Sequence, residues 1–334
     1  MEPQAKRRKE MDKCDTWDVL PVLSDEKSRD TELLPAYAAP IIEKRETSRL
    51  VKELSLIYPL PGLQHIKRVR ACKDKSSPHP LEVIVCLARD VAKGVMLVDL
   101  LRSQSFDSSG LGEPFLVEIP ANPPLTRPQF EKASKHWPTS FHEDKQVTSA
   151  LKGQLFTADQ KAKMQDYMTA AVQAAKSGRE MGMDAVGAVI VDPESEQVVA
   201  VGHDCKRGAH PLHHAVMVCI DLVACGQGGG AYNYKKYPAC QFSSSKSFRN
   251  GCNLKETGQP YICTGYDLYV TREPCVMCAM ALVHSRINRV FYGAPSADGA
   301  LGTKYKIHCQ KDLNHRFEVF KGVMLNACEA LHKK

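Results

Sequence analysis

Three residues in the C-terminal half have the types and spacing of metal ligands. Cys275 and Cys278 form the only Cys-x-x-Cys pair of the chain, and His214 lies at the start of a predicted helix. A neutral imidazole and two thiolates supply three of the four ligands of a tetrahedral zinc ion. The free N–H groups and dipole of a helix N-terminus also stabilise thiolates. We therefore predict one Zn²⁺ per chain on His214, Cys275 and Cys278, with the fourth ligand open between water and a protein group.

Other interpretations of these cysteines stay open at this stage. Cys275 and Cys278 alone could be buried thiols or half of a zinc ribbon, although no second Cys-x-x-Cys pair exists to complete a ribbon. The 13 cysteines are an odd number in a long chain without a secretory signal, which favours reduced thiols over a disulfide framework. Of the neighbouring histidines, we expect His203, His210 and His213 to be loop or surface residues.

Helical and strand patterns alternate through the region that carries these ligands, which predicts a layered α/β domain over residues 157–334. Thr157 and Gln160 predict a capping box, and the helix that follows should end at Ser177 and Gly178. A closing helix is predicted at the C-terminus, and residues 227–263 read as a long loop insertion containing Lys235 and Lys236. The predicted strands are 185–191, 198–201, 266–271, 289–292 and 317–320.

The N-terminal half shows a second pattern, in the order β-α-β-β-α-β. This order matches the split βαβ, or ferredoxin-like, arrangement, and we assign an α+β domain to residues 17–120. Residues 121–156 are rich in proline and read as a linker with one short helix near 129–137, where Trp137 could pin the linker to a domain. The predicted elements before residue 121 are strands 17–23, 36–42, 66–72, 81–87 and 115–119 and helices 47–58 and 91–101.

The motifs around the predicted ligands resemble those of the zinc nucleoside and nucleobase deaminases, with the tRNA adenosine deaminase branch the most similar. The family signature pairs His-x-Glu with Pro-Cys-x-x-Cys. Here residues 271–287 read TREPCVMCAMALVHSRI, followed in order by VFYGA at 290–294, GALG at 299–302 and LNHRFEV at 313–319. The similarity covers about residues 157–332. It implies a cytidine-deaminase-like three-layer α/β/α fold with a mixed sheet.

One position departs from the family pattern. Active members carry a glutamate two residues after the zinc histidine, where it moves protons between the zinc-bound water, the base and the leaving ammonia. This chain has Val216 there, and valine cannot accept or donate a proton. We therefore predict no catalytic residue in this chain. Glu273 is expected to be structural, and Asp204 and Asp221 are weaker candidates for a replacement base.

Val216 makes the chain similar to the inactive subunit of the eukaryotic heterodimeric tRNA adenosine deaminase. That resemblance implies a catalytic partner carrying His-x-Glu, tRNA as a second partner, and adenosine-to-inosine conversion at the wobble anticodon position (position 34). Two alternatives stay open: an active deaminase with a relocated base, and an RNA-binding scaffold with a relic deaminase fold. The N-terminal domain is the predicted tRNA-binding part.

Charge and hydropathy set the remaining expectations. The net charge of +7 permits binding to a phosphate backbone without requiring it. No apolar run is long enough to span a bilayer, so we expect no membrane partner. A disordered basic tail is predicted at 1–16, whose Lys6-Arg7-Arg8-Lys9 could be a nuclear import signal, and the expected location is nucleus and cytoplasm. The predicted RNA contacts are Lys67, Arg68, Arg70, Lys235 and Lys236.

Overall fold

The computed structural model describes residues 17–72, 78–91, 106–243 and 261–333. These residues form two compact units. The first spans Asp25–Thr148, and the second joins the residues from Ser149 onward to the short segment that ends at Ser24. Each unit has its own sheet and its own buried cores.

The secondary-structure elements are numbered in chain order. The strands are β1 Leu20–Pro21, β2 Leu33–Ile41, β3 Val69–Ala71, β4 Leu81–Leu87, β5 Phe115–Pro120, β6 Gly187–Asp192, β7 Gln197–His203, β8 Gln241–Phe242, β9 Asp267–Arg272, β10 Arg289–Ala294 and β11 Glu318–Lys321. The helices are α1 Asp25–Ser28, α2 Thr47–Ile57, α3 Arg127–His136, α4 Lys145–Leu151, α5 Ala158–Glu180, α6 Ala215–Gly226, α7 Val276–His284 and α8 Leu325–Ala330.

The first unit contains a four-stranded sheet in the order β3-β4-β2-β5, in which all neighbours are antiparallel. Numbered within the unit, this order is 2-3-1-4, the order of the split βαβ arrangement. It confirms the ferredoxin-like prediction for the strands and for α2. The second predicted helix, 91–101, lies outside the described residues except for Val91.

Helix α2 packs on one face of this sheet because its apolar residues recur at helical spacing. Leu50 and Leu54 are fully buried against Ala39, Ile41 and Val83. Burying a leucine side chain stabilises a fold by about 2 kcal/mol, so the two together fix the helix on the sheet.

The opposite face of the sheet is covered by residues that we had predicted to be linker. Trp137 is fully buried there with Ile84 and Ile119, and its Nε1 donates to the carbonyl of Lys67 at 2.6 Å. The short helix is confirmed as α3, whose N-cap Thr126 accepts from the Gln129 amide. The rest of the linker prediction is wrong for this segment, because Trp137 and α3 pack on the sheet and belong to the N-terminal unit.

The second unit is built on a mixed seven-stranded sheet in the order β1-β11-β10-β9-β6-β7-β8. Strands β9, β10 and β11 are parallel, and the remaining neighbours are antiparallel. Alternate residues of β6 face opposite layers. Ala188 and Ile190 pack in the cluster of α6 and α7, whereas Val189 and Val191 pack in the cluster of α5 and α8. This is the predicted three-layer α/β/α domain with a mixed sheet.

Three details of this unit differ from the predictions. The segment 17–23 joins the C-terminal sheet, because Leu20 and Pro21 of β1 pair with β11. Helix α5 keeps its predicted capping box but continues to Glu180. Gly178 does not end it; the residue is buried, and a Cβ there would lie 2.8 Å from Nδ1 of His203. The described part of 227–263 includes β8, which pairs with β7 and is therefore sheet, not loop.

None of the helices described here has the length and apolar character that crossing a membrane requires.

Candidate metal centre

The three predicted metal ligands come together where two helices begin. His214 is the N-cap residue of α6 and Cys275 is the N-cap residue of α7, with Cys278 in the first turn of α7. Nδ1 of His214 lies 3.7 Å from Sγ of Cys275, and the ligand atoms of all three residues lie within 4.8 Å of one another. Cys278 is buried, whereas His214 and Cys275 are partly exposed. This donor set fits zinc because thiolates and imidazole are its usual ligands.

The charges in this cluster favour a thiolate on Cys275 beside a cationic imidazole on His214. Hydrogen bonding from Cys278, and then from His214, lowers the pKa of the Cys275 thiol to about 3. The same contact with Cys275 raises the pKa of His214, and the anionic neighbour, together with burial, raises the pKa of Cys278. A thiolate is the form that binds a metal, so the protein already stabilises one ligand in its metal-binding state.

Glu273 holds the segment that passes over the start of α7. Its buried carboxylate accepts from the backbone amides of Ser296, Leu301 and Thr303 at 2.9–3.1 Å, and also from the Thr303 hydroxyl. Gly299 is required beneath it because a Cβ there would lie 2.1 Å from the carboxylate. The expected structural role of Glu273 is therefore supported, since every accepting oxygen already serves the backbone.

The position of the catalytic base is occupied by an apolar side chain. Val216 lies in the first turn of α6, is 3% exposed and packs within the apolar core. Within the described ranges, no carboxylate oxygen joins the group of atoms formed by His214, Cys275 and Cys278. The centre therefore retains metal-ligand chemistry without a group that transfers protons.

The two other carboxylates that we considered have different surroundings. Asp204 is buried, which raises its pKa, and it accepts from the Lys206 amide at 3.1 Å. Asp221 accepts from the Ala231 amide at 2.9 Å and holds the chain that follows α6. Neither belongs to the ligand cluster, although Asp204 lies near enough to raise the pKa of His214.

Comparison with known proteins gives two family matches. Residues 161–294 match the cytidine and deoxycytidylate deaminase zinc-binding region, and residues 34–137 match the tRNA-specific adenosine deaminase TAD3 N-terminal domain. A relative from Danio rerio named "Probable inactive tRNA-specific adenosine deaminase-like protein 3" is 79% identical, with 100% of both chains covered. The chain belongs to the family of inactive tRNA-specific adenosine deaminase-like proteins.

One further relative and one solved structure are also similar to this chain. The "tRNA-specific adenosine deaminase subunit tad3" of Schizosaccharomyces pombe is 27% identical over 86% of this chain and 81% of its own. A solved chain from a study of tRNA:A34 deaminases is 24% identical, covers 50% of this chain and 98% of its own length, and has a TM-score of 0.38. Within this family the chain is a non-catalytic relative of the deaminases, and Val216 supplies the physical reason.

The basic residues that we predicted to contact RNA differ in their exposure and in their partners within the chain. Lys67, Lys235 and Lys236 are exposed. The guanidinium of Arg68 donates to the carbonyls of Leu54, Tyr58, Ile84 and Val85. The guanidinium of Arg70 pairs with Glu82 at 2.6 Å and stacks 4.0 Å from the Trp137 ring centroid. Both groups have partners within the chain, and their contact with RNA stays a prediction.

The histidine predictions were only partly right. His210 and His213 are partly exposed and their rings stack with centroids 4.7 Å apart, in the loop that leads to His214. His203 is fully buried at the end of β7, because the strand continues two residues beyond its predicted end. It lies beside Cys205 and Cys240, a second group of ligand-type side chains. In the sequence, the His-x-Cys spacing of His203 and Cys205 is the one indication of this group. Cys240 follows 35 residues after Cys205, and no sequence pattern links it to the other two.

Proposed function

We propose that this chain is the zinc-binding, non-catalytic subunit of a heterodimeric tRNA adenosine deaminase that converts adenosine to inosine at position 34. The observation that supports this most strongly is the intact ligand set of His214, Cys275 and Cys278 beside a buried Val216. A chain that had lost all use for the centre would not need three convergent ligands. A chain that performed the reaction would need a proton carrier within hydrogen-bond reach.

The role of a bound zinc ion here would be structural. The ion would supply a fixed junction between the N-termini of α6 and α7, held by the three ligands and by the thiolate that Cys275 already favours. Val216 keeps this part of the centre apolar, and Glu273 holds residues 296–303 against the start of α7. The chain's own residues therefore maintain the shape of a deaminase centre without its proton chemistry.

A catalytic partner carrying His-x-Glu would supply the missing base. Exposed apolar side chains flank the centre, which supports a protein-binding face there: Leu212 is 52% exposed and Val276 is 44% exposed, each within two residues of a ligand. We propose these two side chains as part of the partner-binding face. The S. pombe relative is named as a deaminase subunit, which supports such an assembly.

The first test is inosine formation on a tRNA that carries adenosine at position 34, with the purified chain alone, the His-x-Glu partner alone, and the two mixed. We expect inosine only where the partner is present and most where both are present, because this chain has no proton carrier. Val216→Thr adds a hydroxyl that cannot act as a general base, so this chain alone should still form no inosine.

Two outcomes would contradict the proposal. Inosine formed by this chain alone would show an active deaminase with a relocated base. Failure to bind the partner, with no stimulation of its activity, would instead favour an RNA-binding scaffold.

Exposed lysines are the proposed contacts with the tRNA backbone. Lys235→Glu with Lys236→Glu, and separately Lys67→Glu, should weaken tRNA binding by the heterodimer. Each lysine that contacts a phosphate should lower the slope of log affinity against log salt by about one. A fluorescence assay of tRNA binding at several salt concentrations measures both the affinity and the salt slope.

The matched control is Lys152→Glu with Lys321→Glu, which removes the same charge from other exposed positions. Equal effects in the two double variants would refute a specific contact by Lys235 and Lys236.

We further propose that the protein resides in both nucleus and cytoplasm, with Lys6-Arg7-Arg8-Lys9 as the import signal. These residues lie outside the described part of the chain, and the basic composition of the cluster is the support for the proposal. Microscopy of the fluorescently tagged chain should show nuclear signal that falls when the four residues become alanine. An unchanged distribution would rule out this segment as the import signal.

A further inference from the structure

A second group of metal-ligand side chains lies at the ends of β7 and β8, apart from the centre described above. It consists of His203, the last residue of β7, with Cys205 two residues later and Cys240 just before β8. Their ligand atoms lie within 4.8 Å of one another. His203 and Cys205 are fully buried and Cys240 is 6% exposed.

The spacing of these atoms matches the edges of a zinc tetrahedron. Zn–S bonds of about 2.3 Å and Zn–N bonds of about 2.0 Å place neighbouring sulfurs about 3.8 Å apart, and sulfur and nitrogen about 3.5 Å apart. Sγ of Cys205 lies 4.0 Å from Sγ of Cys240, close to the sulfur–sulfur edge. A disulfide would instead require the two sulfurs to approach to about 2.05 Å.

The imidazole of His203 is held in place but its hydrogen bonding is incomplete. Nδ1 lies 2.8 Å from the carbonyl oxygen of Asp204, while Nε2 is buried and has no hydrogen-bond partner among the described residues. A carbonyl oxygen only accepts, so Nδ1 carries the proton in this contact, and the unpartnered Nε2 is the ring nitrogen left to bind a ligand. Gly178 makes room for the ring, and Tyr237 packs edge-on with centroids 5.6 Å apart.

We propose that His203, Cys205 and Cys240 form a second, structural zinc site, with water or another small ligand in the fourth coordination position. This inference goes beyond the proposed function and does not depend on it. The site would tie the end of β7 to the segment preceding β8, two parts of the chain 35 residues apart. Strand β8 adds only two residues to the sheet, pairing Gln241 with Val201 and Phe242 with Ala200. A metal crosslink would hold this short edge strand in position.

The second site would also support the first. The amide of Cys205 donates to the carbonyl of His213 at 2.7 Å, directly before the ligand His214. The loop from Cys205 to His213 therefore begins at the second cluster and ends beside the first. A metal bound to Cys205 would fix the start of this loop and so help to fix the position of His214.

The test is the zinc content of the purified full chain, measured by plasma mass spectrometry. We expect about two zinc ions per wild-type chain, one in Cys240→Ser, one in Cys275→Ser and none in the combined variant. Cys225→Ser is the matched control, because Cys225 is a free cysteine outside both clusters and should leave the content at two. Far-UV circular dichroism checks that each variant is folded.

The variants also separate the two centres. An ion lost from folded Cys240→Ser and kept in Cys275→Ser supports the second site even if the first binds none. Zinc content in folded Cys240→Ser equal to that of the wild type overturns the second site, as does a Cys205–Cys240 disulfide in the native protein. If Cys240→Ser fails to fold, cadmium NMR of the substituted wild type decides: two resonances support the inference and one overturns it.

Discussion

The convergence of two helix N-termini is the constraint on which the rest of the C-terminal domain depends. His214 and Cys275 cap α6 and α7, so their side chains can meet only if both helices start at the same place beneath the sheet. Strand β9 delivers the chain to Cys275, and the carboxylate of Glu273 then secures residues 296–303 beside it. Polar groups at helix ends must be satisfied, and a metal centre is one way to order such a junction.

This arrangement separates two properties that are combined in a catalytic deaminase. The ligands determine where the helices begin, and therefore contribute to the fold, whereas the base contributes only to proton transfer. Replacing the base with Val216 adds a buried apolar side chain to the core and leaves the ligands in place. A family of inactive deaminase-like chains can therefore preserve the deaminase fold and its metal-ligand set after losing the reaction.

Local sequence pattern predicted the parts of the fold that local chemistry determines. The capping box of α5 and the Cys275–Cys278 pair follow from residues close together in the chain. The pairing of His214 with Cys275 and the strand order of the N-terminal sheet join distant residues, and they were predicted from motif and topology patterns. The role of Trp137 was visible only as a possibility, because its partners Lys67 and Ile84 lie more than 50 positions earlier. Arg68 illustrates the same limit, since its burial depends on carbonyls from α2 and β4. Strand β1 could not be assigned to the C-terminal sheet because its partner lies about 300 residues away.

The central claim is that proton transfer belongs to the partner and that this chain contributes none. The most direct measurement is inosine formation by a heterodimer in which the partner's His-x-Glu glutamate is replaced by glutamine, while this chain is unaltered. The account predicts that the rate falls by about 10²–10⁴-fold, the contribution of a general acid–base group, and that Asp204→Asn in this chain has no further effect. A rate within a few-fold of the unaltered heterodimer, lost on Asp204→Asn, would contradict the account and assign catalysis to this chain.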